Sequence, residues 1–219
     1  MLEHLPSCWK RKEIYFSSGS FYAGVWEMKE VYARLEVPIM SGVEVSLKGK
    51  NITVKGPLGE LTKDFSYAKT IDIKKEEDKI IIEGYFLRKR EKALLRMIAS
   101  KIQNMMIGVL KGYRYRMYIV YAHFPMNVKV EGRKVVIENF LGSKDKRVAK
   151  IIGSDTKVSV TKDEVIVEGI DLESVGQTAA NIHLTARLRG KNKLSPHGRA
   201  GGPGVLDGIY LYAKEHIKE

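Results

Sequence analysis

A chain of 219 residues carrying 38 Lys and Arg against 26 Asp and Glu has a formal net charge of +12, an excess that suits a polyanionic partner such as nucleic acid. Its one cysteine, Cys8, excludes an internal disulfide framework and any multi-cysteine zinc site, and points to a reducing, cytosolic setting. No stretch reads as apolar over the roughly 18 residues that a bilayer span needs, so no membrane partner is expected, and Lys10, Arg11 and Lys12 are not followed by a signal-peptide core.

Residues 1–27 differ in texture from the rest of the chain. Trp9, Tyr15, Phe16, Phe21, Tyr22 and Trp26 crowd there without a helix or strand period. The expectation is an atypical extension that is not native, with Met28 as the natural start. From Val45 the residues alternate. Val45 and Leu47, a turn at Lys48-Gly49-Lys50-Asn51, then Ile52 and Val54 predict a hairpin. Gly56-Pro57-Leu58-Gly59 reads as a turn, Leu61 and Phe65 as a further strand, and Ile71/Ile73 and Ile80/Ile82 as two strands joined at Glu76-Glu77-Asp78. The period then changes. Leu94, Leu95, Ile98, Ile102, Met105 and Val109 form one stripe of a helix that ends near Gly108 or Gly112. Tyr113 to Tyr121 alternates and reads as a strand leaving this first unit.

The pattern then repeats. Val128–Ile137 echoes Val45–Val54, and Glu164–Gly169 echoes Lys79–Gly84, at offsets of 83 and 85 residues. The second copy predicts a hairpin at Gly132, a turn at Leu141-Gly142, strands around Val158–Val160 and Val165–Val167, and a helix from about Leu172 to Leu188. That helix has the stripe Val175, Ala179, Ile182 and Ala186, with small Gly176 and Ala180 set to lie close against a sheet. Leu206–Tyr210 predicts a short closing strand. The fold class is therefore α+β: two tandem duplicated domains, each a small antiparallel β-sheet packed against one α-helix. The expected division is residues 1–27 as the extension, 28–122 as the first repeat and 123–219 as the second.

No catalytic constellation emerges. The five histidines form no i, i+4 pair, and His183 reads as a partly exposed helix residue. Glu76-Glu77-Asp78 and Asp163-Glu164 are the contiguous acid clusters, and hairpin turns account for both. The Gly-rich run 199–204 lacks the Lys-Ser/Thr of a phosphate loop. It reads equally as a surface linker or as backbone able to approach RNA closely. Arg187, Arg189, Lys191, Lys193 and Arg199 come after the second helix with no acid among them, and replace an apolar segment of copy one. They are the candidate polyanion contacts, because the guanidinium fork matches phosphate geometry. Lys144, Lys146 and Arg147, beside Asp145, form a second basic loop that reads as a contact or as solvated surface. Arg88, Lys89, Arg90, Lys92 and Arg96 on the first helix read as a solubility face.

Thr53-Val54-Lys55-Gly56-Pro57-Leu58-Gly59-Glu60-Leu61, the duplicated unit, Val175-Gly176-Gln177-Thr178-Ala179-Ala180-Asn181-Ile182 and the closing Asp207-Gly208-Ile209-Tyr210 together resemble the large-ribosomal-subunit proteins of the L-six family, in its archaeal and eukaryotic branch. The resemblance covers roughly Glu30 to Tyr212. It implies a cytoplasmic, ribosome-bound structural protein that binds large-subunit rRNA near the factor-binding and sarcin–ricin region, chiefly through the second domain. It also implies neighbouring ribosomal proteins as partners, no cofactor, no small-molecule substrate and no enzyme activity. The site it implies runs from Arg187 through Arg199. The competing readings are a polyanion-binding interaction module outside the ribosome and, behind it, a metal-dependent nuclease.

Overall fold

The computed structural model describes residues 32–188 and 207–218; the extension 1–27 and the basic residues Arg189, Lys191, Lys193 and Arg199 lie outside these. The first unit opens with β1 (Tyr32–Pro38), an alternating strand not anticipated from the sequence, which turns Ala33, Leu35 and Val37 toward the core. Next come β2 (Glu44–Lys48), β3 (Asn51–Gly56), β4 (Gly59–Asp64), β5 (Ile71–Lys75) and β6 (Lys79–Tyr85). They form two three-stranded antiparallel sheets rather than one, in the orders β2-β3-β4 and β1-β6-β5. Helix α1 (Lys89–Lys111) packs across β1, β3, β4 and β6, and buries Leu95, Ile98, Ile102, Met105, Met106 and Val109. By length and composition alone α1 would qualify as a membrane span; here its apolar side fills the first core.

The second unit repeats the plan. Strand β7 (Tyr113–Val120) is followed by β8 (Asn127–Glu131), β9 (Lys134–Glu138), a 3-10 turn Phe140–Gly142, β10 (Arg147–Lys150), β11 (Lys157–Val160), β12 (Glu164–Gly169), α2 (Leu172–Thr185) and β13 (Gly208–Glu215). Its sheets run β10-β9-β8 and β11-β12-β7-β13. Strand β7 does not trail from the first unit: it pairs with β12 and β13, in the place that β1 holds beside β6. Its inward residues Tyr113, Met117 and Ile119 are buried in the second core, which is what draws the strand there. The closing strand is eight residues long, not a short tail, because it lines β7 from Val120 to Arg114.

Helix α2 buries Val175, Thr178, Ala179 and Ile182, with Ala186 buried at its C-cap, while Ala180 is exposed and Gly176 has space beside it. The close helix approach belongs to α1 instead. A Cβ on Gly108 would lie 2.1 Å from the Ile170 carbonyl oxygen, so only glycine fits where the second unit crosses the first helix. The two cores also exchange side chains across this seam. Ile170 packs against the first core and Ile107 against the second. Lys63 on β4 reaches Asp171 at 2.7 Å and Glu173 at 2.9 Å at the start of α2.

Candidate nucleic-acid interface

The second basic loop is shaped by its backbone. Asn139 (φ 60°) and Leu141 (φ 54°) sit in the left-handed region, and the Asn139 Nδ2 donates to the Pro125 carbonyl at 2.9 Å. Phe140 drops into the core between them. This tight corner reverses the chain, so that β10 returns along β9 and delivers Arg147 on the core side, paired with the buried Ile137.

Arg147 then does two things. Its guanidinium lies over the Phe140 ring, 4.2 Å from the centroid. Its Nη1 donates to the Thr185 carbonyl at 2.9 Å and to the Arg187 carbonyl at 3.4 Å. Helix C-terminal carbonyls lack partners within the helix and carry partial negative charge, so a guanidinium there ends the helix and stabilises it. Helix α2 accordingly stops at Thr185, three residues before the expected Leu188. The Thr185 hydroxyl bonds back to the Asn181 carbonyl at 2.7 Å over the same turn. Arg147 is thus engaged within the protein, and its role is to hold the basic loop against the end of α2.

Of the other predicted residues, Arg187 and Lys144 are exposed and have no ion partner among the described residues. Lys146 is exposed too, but its ammonium meets Glu138 at 2.8 Å. Lys146 and then Lys129 hold the Glu138 carboxyl below its ordinary value. Reasoning on runs of charge missed Lys134 and Lys150, which stand directly opposite each other across the β9–β10 pair. Like charges so placed repel in the free chain and gain from an anion laid across them. Strand alternation carries the signal that finds them, once Val135 and Ala149 are set inward. The structure thus brings Lys144, Lys146 and Arg147 together with Arg187, and adds Lys134 and Lys150 on the adjoining sheet.

The remaining polar groups close the fold. His183 is half-buried, and its Nδ1 bonds the Ile209 carbonyl at 2.8 Å, fixing β13 to α2. Asp207 is buried and accepts from the Ala122 amide at 3.0 Å. Among the described residues, no group of three or more His, Cys, Asp or Glu is placed to hold a metal ion.

The family model for ribosomal protein L6 matches residues 39–112 and 124–192, one segment for each repeat. The large ribosomal subunit protein uL6 of Staphylothermus marinus is 45% identical over 188 residues, 85% of this chain and 96% of that protein. That of Sulfurisphaera tokodaii is 45% identical over 190 residues, 87% of this chain and 97% of its own length. That of Methanothrix thermoacetophila is 46% identical over 187 residues, 85% and 99% respectively.

Proposed function

We propose, because this chain belongs to the ribosomal protein L6 family, that it binds large-subunit rRNA chiefly through its second unit. Membership makes it a large-subunit ribosomal protein, a structural constituent and not an enzyme. The rRNA contacts are assigned to Arg187 with Lys144, Lys146, Lys134 and Lys150 around it, and to Arg189, Lys191, Lys193 and Arg199 beyond. On this reading the surface lies near the factor-binding and sarcin–ricin region, in a ribosome-bound, cytoplasmic protein with other ribosomal proteins beside it.

One observation carries the reading. The Arg147 guanidinium ties the basic loop to the end of α2 at the Thr185 and Arg187 carbonyls, so the charge of that loop and of Arg187, separate in sequence, come together. Cations on such a surface neutralise phosphates and release counterions, which gives affinity with a steep salt dependence. A duplex is then read through its backbone and shape. The triple variant Lys144→Gln, Lys146→Gln and Arg187→Gln tests this in the full chain, with affinity for large-subunit rRNA measured across a salt series. The expected result is weaker binding and a log–log slope shallower by about 2, at roughly 0.7–0.9 per lost phosphate contact. An unchanged slope removes the site.

A further inference from the structure

The duplication exposes a second surface, because the same structural position is built in two different ways. Between the last glycine of the strand hairpin and the residue before the helix, the second unit has one residue, Ile170, and the first has Tyr85, Phe86 and Leu87. Leu87 is 1% exposed and buried in the core of its own unit, so Tyr85 and Phe86 are the additional pair left outside. They are not used to fill space. Tyr85 is 56% exposed and Phe86 65% exposed, the latter held at φ 51°, where bulky side chains are uncommon. Tyr32 on the neighbouring strand brings its ring to 5.1 Å from that of Tyr85.

The helix starts differ in the same direction. In the second unit, Asp171 accepts from the Glu173 and Ser174 amides and Glu173 lies in the first turn, an arrangement that stabilises a helix start. In the first unit the corresponding stretch is Arg88, Lys89 and Arg90, ahead of a single first-turn acid, Glu91, which accepts the Arg88 amide at 2.7 Å. All three are exposed, and none has an ion partner among the described residues. Three cations here oppose the helix dipole, so they do not serve the stability of α1.

We propose that Tyr85, Phe86 and the cations Arg88, Lys89 and Arg90 form a separate RNA-binding surface on the first unit, one that takes an unpaired stretch of RNA. Exposed rings beside consecutive cations match the alternation of flat bases and phosphates in a single strand. An acidic protein segment would neutralise the cations but leave the rings in water, so the charge and the rings together favour RNA. The surface lies on the opposite repeat from the Arg187 site and does not depend on it. The rRNA of the large subunit is its natural source only if the chain binds that rRNA as proposed.

The full chain is titrated with a labelled single-stranded oligouridylate of about ten nucleotides, and cross-linked by ultraviolet light to large-subunit rRNA with the peptides mapped. The Tyr85→Ala, Phe86→Ala double variant changes only exposed rings, and its circular dichroism checks that it still folds. Its oligonucleotide affinity should fall about tenfold or more, given the strength of base–ring stacking. The variant with Gln at 88, 89 and 90 should flatten the salt slope by about 2, at roughly 0.7 per single-strand phosphate. Cross-links in residues 85–90 support the proposal, whether or not the second unit cross-links as well. Cross-links confined to the second unit overturn it and leave the Arg187 site standing. A cross-link from 85–90 to a protein instead of RNA overturns it in favour of a protein partner.

Discussion

Asp171 shows how much one side chain carries. It caps α2 through the Glu173 and Ser174 amides, accepts the Ser174 hydroxyl at 2.6 Å and holds Lys63 from the other repeat. Burial pushes its carboxyl up, but the Lys63 and Ser174 hydrogen bonds outweigh that and hold it below the ordinary value. For Lys63, burial pulls the ammonium down, and the bonds to Asp171 and Glu173 leave it raised. A depressed carboxyl contributes stability that is present above its unfolded pKa, about 3.9, and is lost as pH falls through the folded value. A raised ammonium contributes below its unfolded pKa, about 10.4, and fades as pH rises through the folded value. The pair therefore supports the fold between those limits. Asp171→Ala should cost about 1 kcal/mol from the cap alone, with more from the Lys63 charge left half-buried. Urea unfolding at neutral pH measures that loss. Repeated near pH 3, it should show the gap between variant and parent narrowing; a gap that stays constant would mean the carboxylate is not the active form. Gly108 makes a simpler case. Gly108→Ala drives a methyl into the Ile170 carbonyl at 2.1 Å, and should cost about 1–3 kcal/mol or more in the same measurement, even though alanine is the better helix former.

At the scale of elements, both helices and most strands were legible because their apolar residues recur at a single period. α1 kept its stripe of Leu95, Ile98, Ile102, Met105 and Val109, and its end at Gly112 comes from a C-cap with φ 68°. Strand β1 was equally readable in Ala33, Leu35 and Val37, but the irregular segment before it obscured the alternation. β10 was harder: it is four residues long, and Ala149 alone among them is buried. The length of β13 was hidden because Tyr210, Leu211 and Tyr212 are all partly exposed, and it is pairing with β7, across a shift of register between Leu211 and Ala213, that makes them a strand. The basic site was legible as composition and not as geometry. Runs of Lys and Arg say nothing of Arg147 turning inward onto Phe140 and α2. Besides the His183 bond, β13 is held by the buried Ile209 and by the Asp207 carboxylate on the Ala122 amide. Ile209→Ala should cost about 2–5 kcal/mol, and Asp207→Ala about 1–3 kcal/mol for an amide left without its partner. Hydrogen exchange at β7 amides checks both, since loosening β13 returns β7 to an edge. If β7 protection is unaffected while global stability drops, β13 does not shield it.

For the whole molecule, the question is whether two repeats behave as one body. The seam has three components that act together. Ile170 and Ile107 each enter the other unit's core, Lys63 and Lys101 converge on Glu173, and the chain end folds back so that the Ile217 and Lys218 amides both donate to the Lys111 carbonyl. His216 adds a bond from Nδ1 to the Gly112 carbonyl at 2.9 Å, so the last residues of the second unit close the helix of the first. Removing either isoleucine withdraws an apolar plug worth about 2–5 kcal/mol from the opposite core. The parent protein should therefore unfold in one transition, with probes in either unit superimposing. Ile107→Ala with Ile170→Ala should separate them: the amide exchange of β12 in the second unit and that of α1 in the first would then report different midpoints. Coincident curves in the double variant would place the coupling in the ion pairs and the chain end instead. This matters for a protein whose basic surfaces lie on different repeats. If both take RNA as proposed, a rigid seam that fixes the distance and angle between them would let a single folded polyanion meet both without a further loss of conformational entropy. Loosening the seam should then weaken binding to large-subunit rRNA while leaving affinity for a short oligonucleotide, which spans one surface only, at its parent value.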